Sequence, residues 1–155
     1  MGQNESRRAD MESGILARQR RDVGMELEYD ISKGDKIMKR LVEIRSYALK
    51  PDSGAAFQKL FLEKASPLLR EWGFDVVSFG RSEHDANAYY LIRAFDDLAH
   101  LQASEDEFYG SDAWRQGPRE EILAHIDSYL DTVLWLSQSA IEELRAFDGI
   151  NRLGV

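Results

Sequence analysis

The chain contains no cysteine. That single absence removes disulfides, thiol nucleophiles and Cys-ligated zinc together, and it suits a reducing cytoplasm, the expected location. Its three histidines, His84, His100 and His125, lie far apart with no i,i+4 pair, so no metal centre is expected. No apolar run approaches the roughly 18 residues of a membrane span. A Gly-rich phosphate loop, a nucleophile elbow and a nucleotide fingerprint are all missing, so no cofactor is expected. An excess of basic charge is missing as well. The net charge is −8, and such a chain repels phosphate backbones, which argues against a nucleic-acid partner.

The acidity is unevenly spread. Residues 1–40 hold nine Lys+Arg against eight Asp+Glu, while residues 41–155 hold eleven against twenty. The amino-terminal stretch is rich in mixed charge and poor in large apolar residues. Residues of this kind do not bury enough surface to offset ordering entropy. Residues 1–39 are therefore expected to form a disordered extension, to fall outside the physiological product (Met25 and Met38 are alternative starts), or to dock as a helix. There is no apolar segment of a secretory signal, and eight acidic residues argue against a transit peptide.

Residues 40–137 read as one folded domain, and 138–155 as a tail with a short helix and a loose end. Leu41–Leu49 alternates and ends at Lys50-Pro51, which predicts a strand. A helix over 53–72 follows, with Phe57, Leu60, Phe61, Leu68, Leu69 and Trp72 in one stripe. Pro67 lies inside it, so a kink is expected near Glu63. Gly73 suits a left-handed stop. Strands are predicted at 74–79 and 88–95, then a helix capped by Asp96 and broken at Gly110, a turn at SDAW, a helix opening on Pro118, and a last strand at 128–136. The order β-α-β-β-α-β is the ferredoxin-like α+β arrangement. It leaves one sheet face bare, and a second copy is the simplest cover. A homodimer is therefore expected.

Charge sits where a buried strand should be apolar. Glu43, Arg45 and Tyr47 share one face of the first strand, and Tyr89, Leu91, Arg93 and Phe95 share one face of the third. The topology makes these strands neighbours, so Glu43, Arg45 and Arg93 should cluster, with Tyr47 and Tyr89 beside them and Tyr129 and Asp131 joining from the flank. Two readings stand open. Either the charges form a structural ion network, or the arginines outnumber their partners and line a pocket for a small anionic molecule between sheet and helices.

The segment Phe108–Ile122, FYGSDAWRQGPREEI, is dense in aromatics, glycine and charge. Tyr109, Trp114, Arg115 and Gln116 have the composition of a pocket rim. Alternatively, Phe108 and Trp114 plug the core, Gly110 and Gly117 make turns and Ser111 is an N-cap. His125 is either a general base or a satisfied core histidine. Glu105-Asp106-Glu107 and Glu120-Glu121 read as solvated helix faces.

Three blocks, VEIRSYALKP, YYLIRAF and FYGSDAWRQGPRE, together resemble the NIPSNAP family of the dimeric α+β barrel superfamily. The first matches through Glu43, Arg45, Tyr47, Leu49 and Pro51, with Asp52 where a glycine is common. The second matches through Tyr89, Leu91, Arg93 and Phe95. The resemblance spans about residues 40–137 and implies a dimeric barrel. It implies no particular reaction, because bacterial relatives mostly lack an assigned activity. The expectation is a small-molecule-binding protein with no catalysis of its own. The rival is a cofactor-independent monooxygenase or isomerase. The candidate ligand-binding residues are Glu43, Arg45, Tyr47, Tyr89, Arg93, Tyr109, Trp114 and Arg115.

Overall fold

The structure, a computed structural model, describes residues 38–152. Residues 1–37 of the predicted disordered extension, with the alternative start at Met25, lie outside the described residues, while Lys39 at its end already belongs to the first strand. Four strands form one antiparallel sheet: β1 (Lys39–Leu49), β2 (Asp75–Arg81), β3 (Ala88–Phe95) and β4 (Ile126–Ser137), in the order β2-β3-β1-β4. This is the expected ferredoxin-like order, with β1 and β3 at the centre.

Between β1 and β2 the chain forms α1 (Gly54–Leu60), a π-helical turn (Phe61–Ala65) and α2 (Ser66–Glu71). The widened turn lies where the kink was expected. Pro67 offers no N–H and crowds the carbonyl of Glu63, so the helix inserts an extra residue there rather than breaking. Gly73 adopts φ 82°, and Asp52 adopts φ 63° in the turn after β1. Asp is among the few non-glycine residues that enter this region readily.

After β3 come α3 (Leu98–Gly110), α4 (Asp112–Arg115) and α5 (Arg119–Ala124). The cap of α3 is Asp97, not Asp96: its carboxylate accepts from the His100 N–H at 2.8 Å. The predicted turn at SDAW is a short helix, and Ser111 caps it as expected, accepting from the Trp114 N–H at 3.2 Å. Pro118 stands just ahead of α5 instead of at its first position.

One sheet face packs against these helices. Phe57 and Phe61 meet Tyr89 and Phe79 on it, and Phe74, Phe95, Phe108 and Trp114 fill the space beside α3. The other face was expected to be bare, and the tail beyond Ser137 to hold only a short helix and a loose end. Instead the chain continues directly into α6 (Gln138–Arg152). Its Ile141 is fully buried against Val42, Val77 and Ala94. Along β1 the cover then fades: Val42 is buried, Ile44 half-buried, Ser46 and Ala48 exposed. The helix is held to β2 by Arg145 on Asp75 at 2.8 Å and by Ser78 donating to Asp148 at 2.9 Å. No described helix is long and apolar enough to cross a membrane.

Candidate functional site

The centre of the helix-facing sheet surface is ionic. Register places Glu43 opposite Arg93 on β3 and Arg45 opposite Asp131 on β4. Because side chains two apart share a face, all four point toward α3, from which Glu105 descends between them. Glu43, Arg45, Arg93 and Glu105 are each under 5% exposed.

The contacts are dense. Arg93 donates through Nε to Glu43 Oε2 at 2.8 Å and through Nη2 to both Glu43 Oε2 and Glu105 Oε1. Arg45 donates through Nε to Asp131 Oδ1 at 2.6 Å and through Nη1 to the Tyr109 hydroxyl at 2.9 Å. Its Nη2 reaches Glu43 Oε1 at 2.9 Å, Glu105 Oε1 at 3.0 Å and Asp131 Oδ2 at 3.1 Å. Arg93 also lies 4.9 Å from the Phe74 ring centroid, and Arg45 4.9 Å from that of Tyr129, so each cation rests on an aromatic face. Arg93 Nη1 is buried without a hydrogen-bond partner.

The electrostatics follow from burial set against charge. Desolvation pushes the Glu43 carboxyl up, but Arg45 and Arg93 beside it outweigh burial and hold it below the ordinary value of 4.5. For Glu105 burial prevails over the same two arginines, and the negative charge of Glu43 adds to the rise. Burial pulls both arginines down, yet their carboxylates hold them above the ordinary guanidinium range. Burial likewise raises the Tyr47 and Tyr129 phenols, so both stay neutral hydrogen-bonding groups.

The expected residues are distributed as follows. Glu43, Arg45 and Arg93 form the cluster, and Tyr109 joins it through its hydroxyl. Tyr47 stacks beside them, its ring 6.2 Å from Tyr129 and 6.4 Å from Tyr89. Tyr89 turns its hydroxyl away, to Gln58 Oε1 at 2.5 Å. Trp114 is a core plug against Phe108 and Tyr109. Arg115 stands apart: it is exposed, and its Nε donates to the Tyr109 carbonyl at 3.4 Å. His125 is paired with Ser53 Oγ at 3.0 Å. Among the described residues no group of three or more acidic or histidine side chains is placed to hold a metal.

Glu105 corrects the reading of its segment as a solvated face. Asp106 and Glu107 are exposed, but Glu105 is buried. The signal was present in the helical period: Leu101, Glu105 and Phe108, at i, i+4 and i+7, line the buried stripe of α3. A carboxylate in that stripe needs a cation beneath it, and the arginines of β1 and β3 supply two.

The cluster opens toward solvent on the β4 side. The Asp131 side chain is 12% exposed, and Tyr109 and Tyr129 are half-buried. Beyond them Trp135 is exposed on the same face of β4. These side chains form a rim of phenols and one carboxylate above Arg45.

A family model described as Antibiotic biosynthesis monooxygenase matches residues 40–118, just over half of the chain. The chain belongs to that family. The matched part of this antibiotic biosynthesis monooxygenase domain runs from β1 past α4, so Tyr129, Asp131 and α6 lie beyond it. Similar solved structures include a NIPSNAP domain protein from Burkholderia xenovorans, at 17% identity and a TM-score of 0.56, covering 61% of this chain and 91% of that one. A NIPSNAP family protein of unknown function from Agrobacterium tumefaciens str. C58 is 20% identical with a TM-score of 0.57, covering 63% and 88%. The NIPSNAP resemblance therefore holds for the fold. No curated protein matches the chain.

Proposed function

We propose that this member of the antibiotic biosynthesis monooxygenase family is a small-molecule-binding homodimer without catalysis of its own. The observation that carries the reading is the pairing of the cluster. Both arginines are committed to Glu43, Glu105 and Asp131, so neither is left over to hold an enolate or a substrate anion. A small molecule entering between sheet and helices meets the rim of Tyr109, Tyr129 and Asp131. Phenol hydroxyls and a carboxyl group suit a polar, uncharged ligand. An anionic ligand would have to displace a carboxylate from Arg45.

The dimer reading is supported by the far side of the sheet. Ser46, Ala48 and Leu130 are exposed there, Leu130 at 68%, and domains of this family are commonly dimeric. A second copy would bury this strip. The rival reading, a cofactor-independent monooxygenase or isomerase, is favoured by the description of the matching family model.

Native mass spectrometry of the gently purified chain tests the binding reading. The expected result is a non-covalent adduct that weakens in Tyr129→Phe, a change that removes one rim hydroxyl and leaves the ion pairs intact. Turnover of dioxygen with an aromatic or enolic substrate, abolished in the same variant, would favour the rival.

A further inference from the structure

We infer that Glu105 and Glu43 form an acid–carboxylate pair sharing one proton, a proton-linked latch that joins α3 to the sheet. Two guanidinium groups, Arg45 and Arg93, face three carboxyl groups, Glu43, Glu105 and Asp131. Fully ionised, the cluster would bury one uncompensated negative charge, which is costly away from water. One proton makes it neutral.

Geometry selects the carboxyl that holds the proton. Asp131 is the most exposed of the three and takes two bonds from Arg45. Glu43 is fully buried and uses both oxygens, Oε1 toward Arg45 and Oε2 toward Arg93. Both guanidinium contacts of Glu105 fall on Oε1 alone, at 3.0 Å from Arg45 Nη2 and 2.5 Å from Arg93 Nη2. Its Oε2 stands outside the guanidinium contacts and is the place for a proton. Since both glutamates contact the same two nitrogens, they lie close together. Two like charges at that distance do not both ionise readily. A protonated Glu105 instead donates to Glu43, a bond that helps hold Glu43 ionised.

The groups facing Glu105 are Glu43, Arg45 and Tyr47 from β1, Arg93 from β3, Tyr129 and Asp131 from β4, and Tyr109 one turn along its own helix. Among these groups Glu105 is the carboxyl whose neutral form burial and the adjacent Glu43 favour. Its carboxyl is raised above 4.5 in the folded chain. The folded state therefore binds the proton more tightly than the unfolded state. That contribution is fully present below 4.5 and is lost as pH rises toward the raised value.

Two measurements on the full chain test the latch. The first is infrared spectroscopy of wild type with carbon-13-labelled glutamate at pH 7. The expected spectrum contains a protonated-carboxyl stretch that vanishes on unfolding and is absent in Glu105→Gln. The second compares the unfolding equilibria of wild type and Glu105→Gln across pH. Glutamine mimics the neutral acid and does not titrate. Above pH 4.5 the folding constant of wild type should fall relative to the variant, by up to about tenfold per pH unit for one proton. A folded wild type without a protonated carboxyl at pH 7 overturns the inference, whether or not the variant folds. So does a ratio of the two folding constants that is flat with pH.

Discussion

At the scale of single residues, Arg93 is the most exacting case. Its guanidinium is wholly buried and answers two glutamates from two elements. Removing one partner of such a pair leaves uncompensated charge, which costs about 3 to 5 kcal/mol. Arg93→Met should thus lower unfolding free energy by about 3 kcal/mol at pH 7 in urea titrations, and Glu43→Gln in the same chain should recover part of the loss. Glu43 sets the acid side. Its carboxyl is held low in the fold, so it binds a proton less readily folded than unfolded. Its contribution is present above 4.5 and lost as pH falls below. The acid limb of the stability curve should accordingly be shallower in Glu43→Gln than in wild type. The clustering of Glu43, Arg45 and Arg93 was legible because strand period and topology alone put them on one surface. That Glu105 answers them was not, because EDE in a helix looks like solvent-facing charge until its period is set against Leu101 and Phe108.

At the scale of elements, the chain solves two local problems by backbone adjustment. Pro67 is accommodated by the π-turn, and the kink was legible because proline's missing donor acts on a known carbonyl. The α4–α5 junction turns on Gly117. A Cβ there would stand 2.1 Å from the Ala113 carbonyl oxygen, a backbone atom with nowhere to go. Gly117→Ala should cost about 2 kcal/mol, in the range of overpacked sites, and Trp114, buried just before the turn, should report the change in fluorescence. The strands, their order and the first helix were legible from period and punctuation. Helix α6 was not read as packed, because Ile141 is alone among its described side chains in being fully buried. One buried residue among exposed Leu144 and Phe147 makes no stripe, and docking is decided by Val42, Val77 and Ala94, far away in sequence.

At the scale of the whole molecule, two surfaces remain partly open: the strip from Ile44 to Leu130 on the far side of the sheet, and the rim of Tyr109, Tyr129 and Asp131 on the near side. In the function proposed above, a second copy covers the first and a small polar ligand enters at the second. Fold and sheet order follow from hydrophobic pattern, whereas a ligand's identity depends on shape at the rim, which β4 supplies from beyond the matched family region. The most direct measurement is native mass spectrometry of the full chain at micromolar concentration. The expected species has twice the mass of the chain and carries a small-molecule adduct that Tyr129→Phe diminishes without dissociating the dimer. A monomer, or a dimer that neither carries nor takes up any small molecule, would contradict the proposed function.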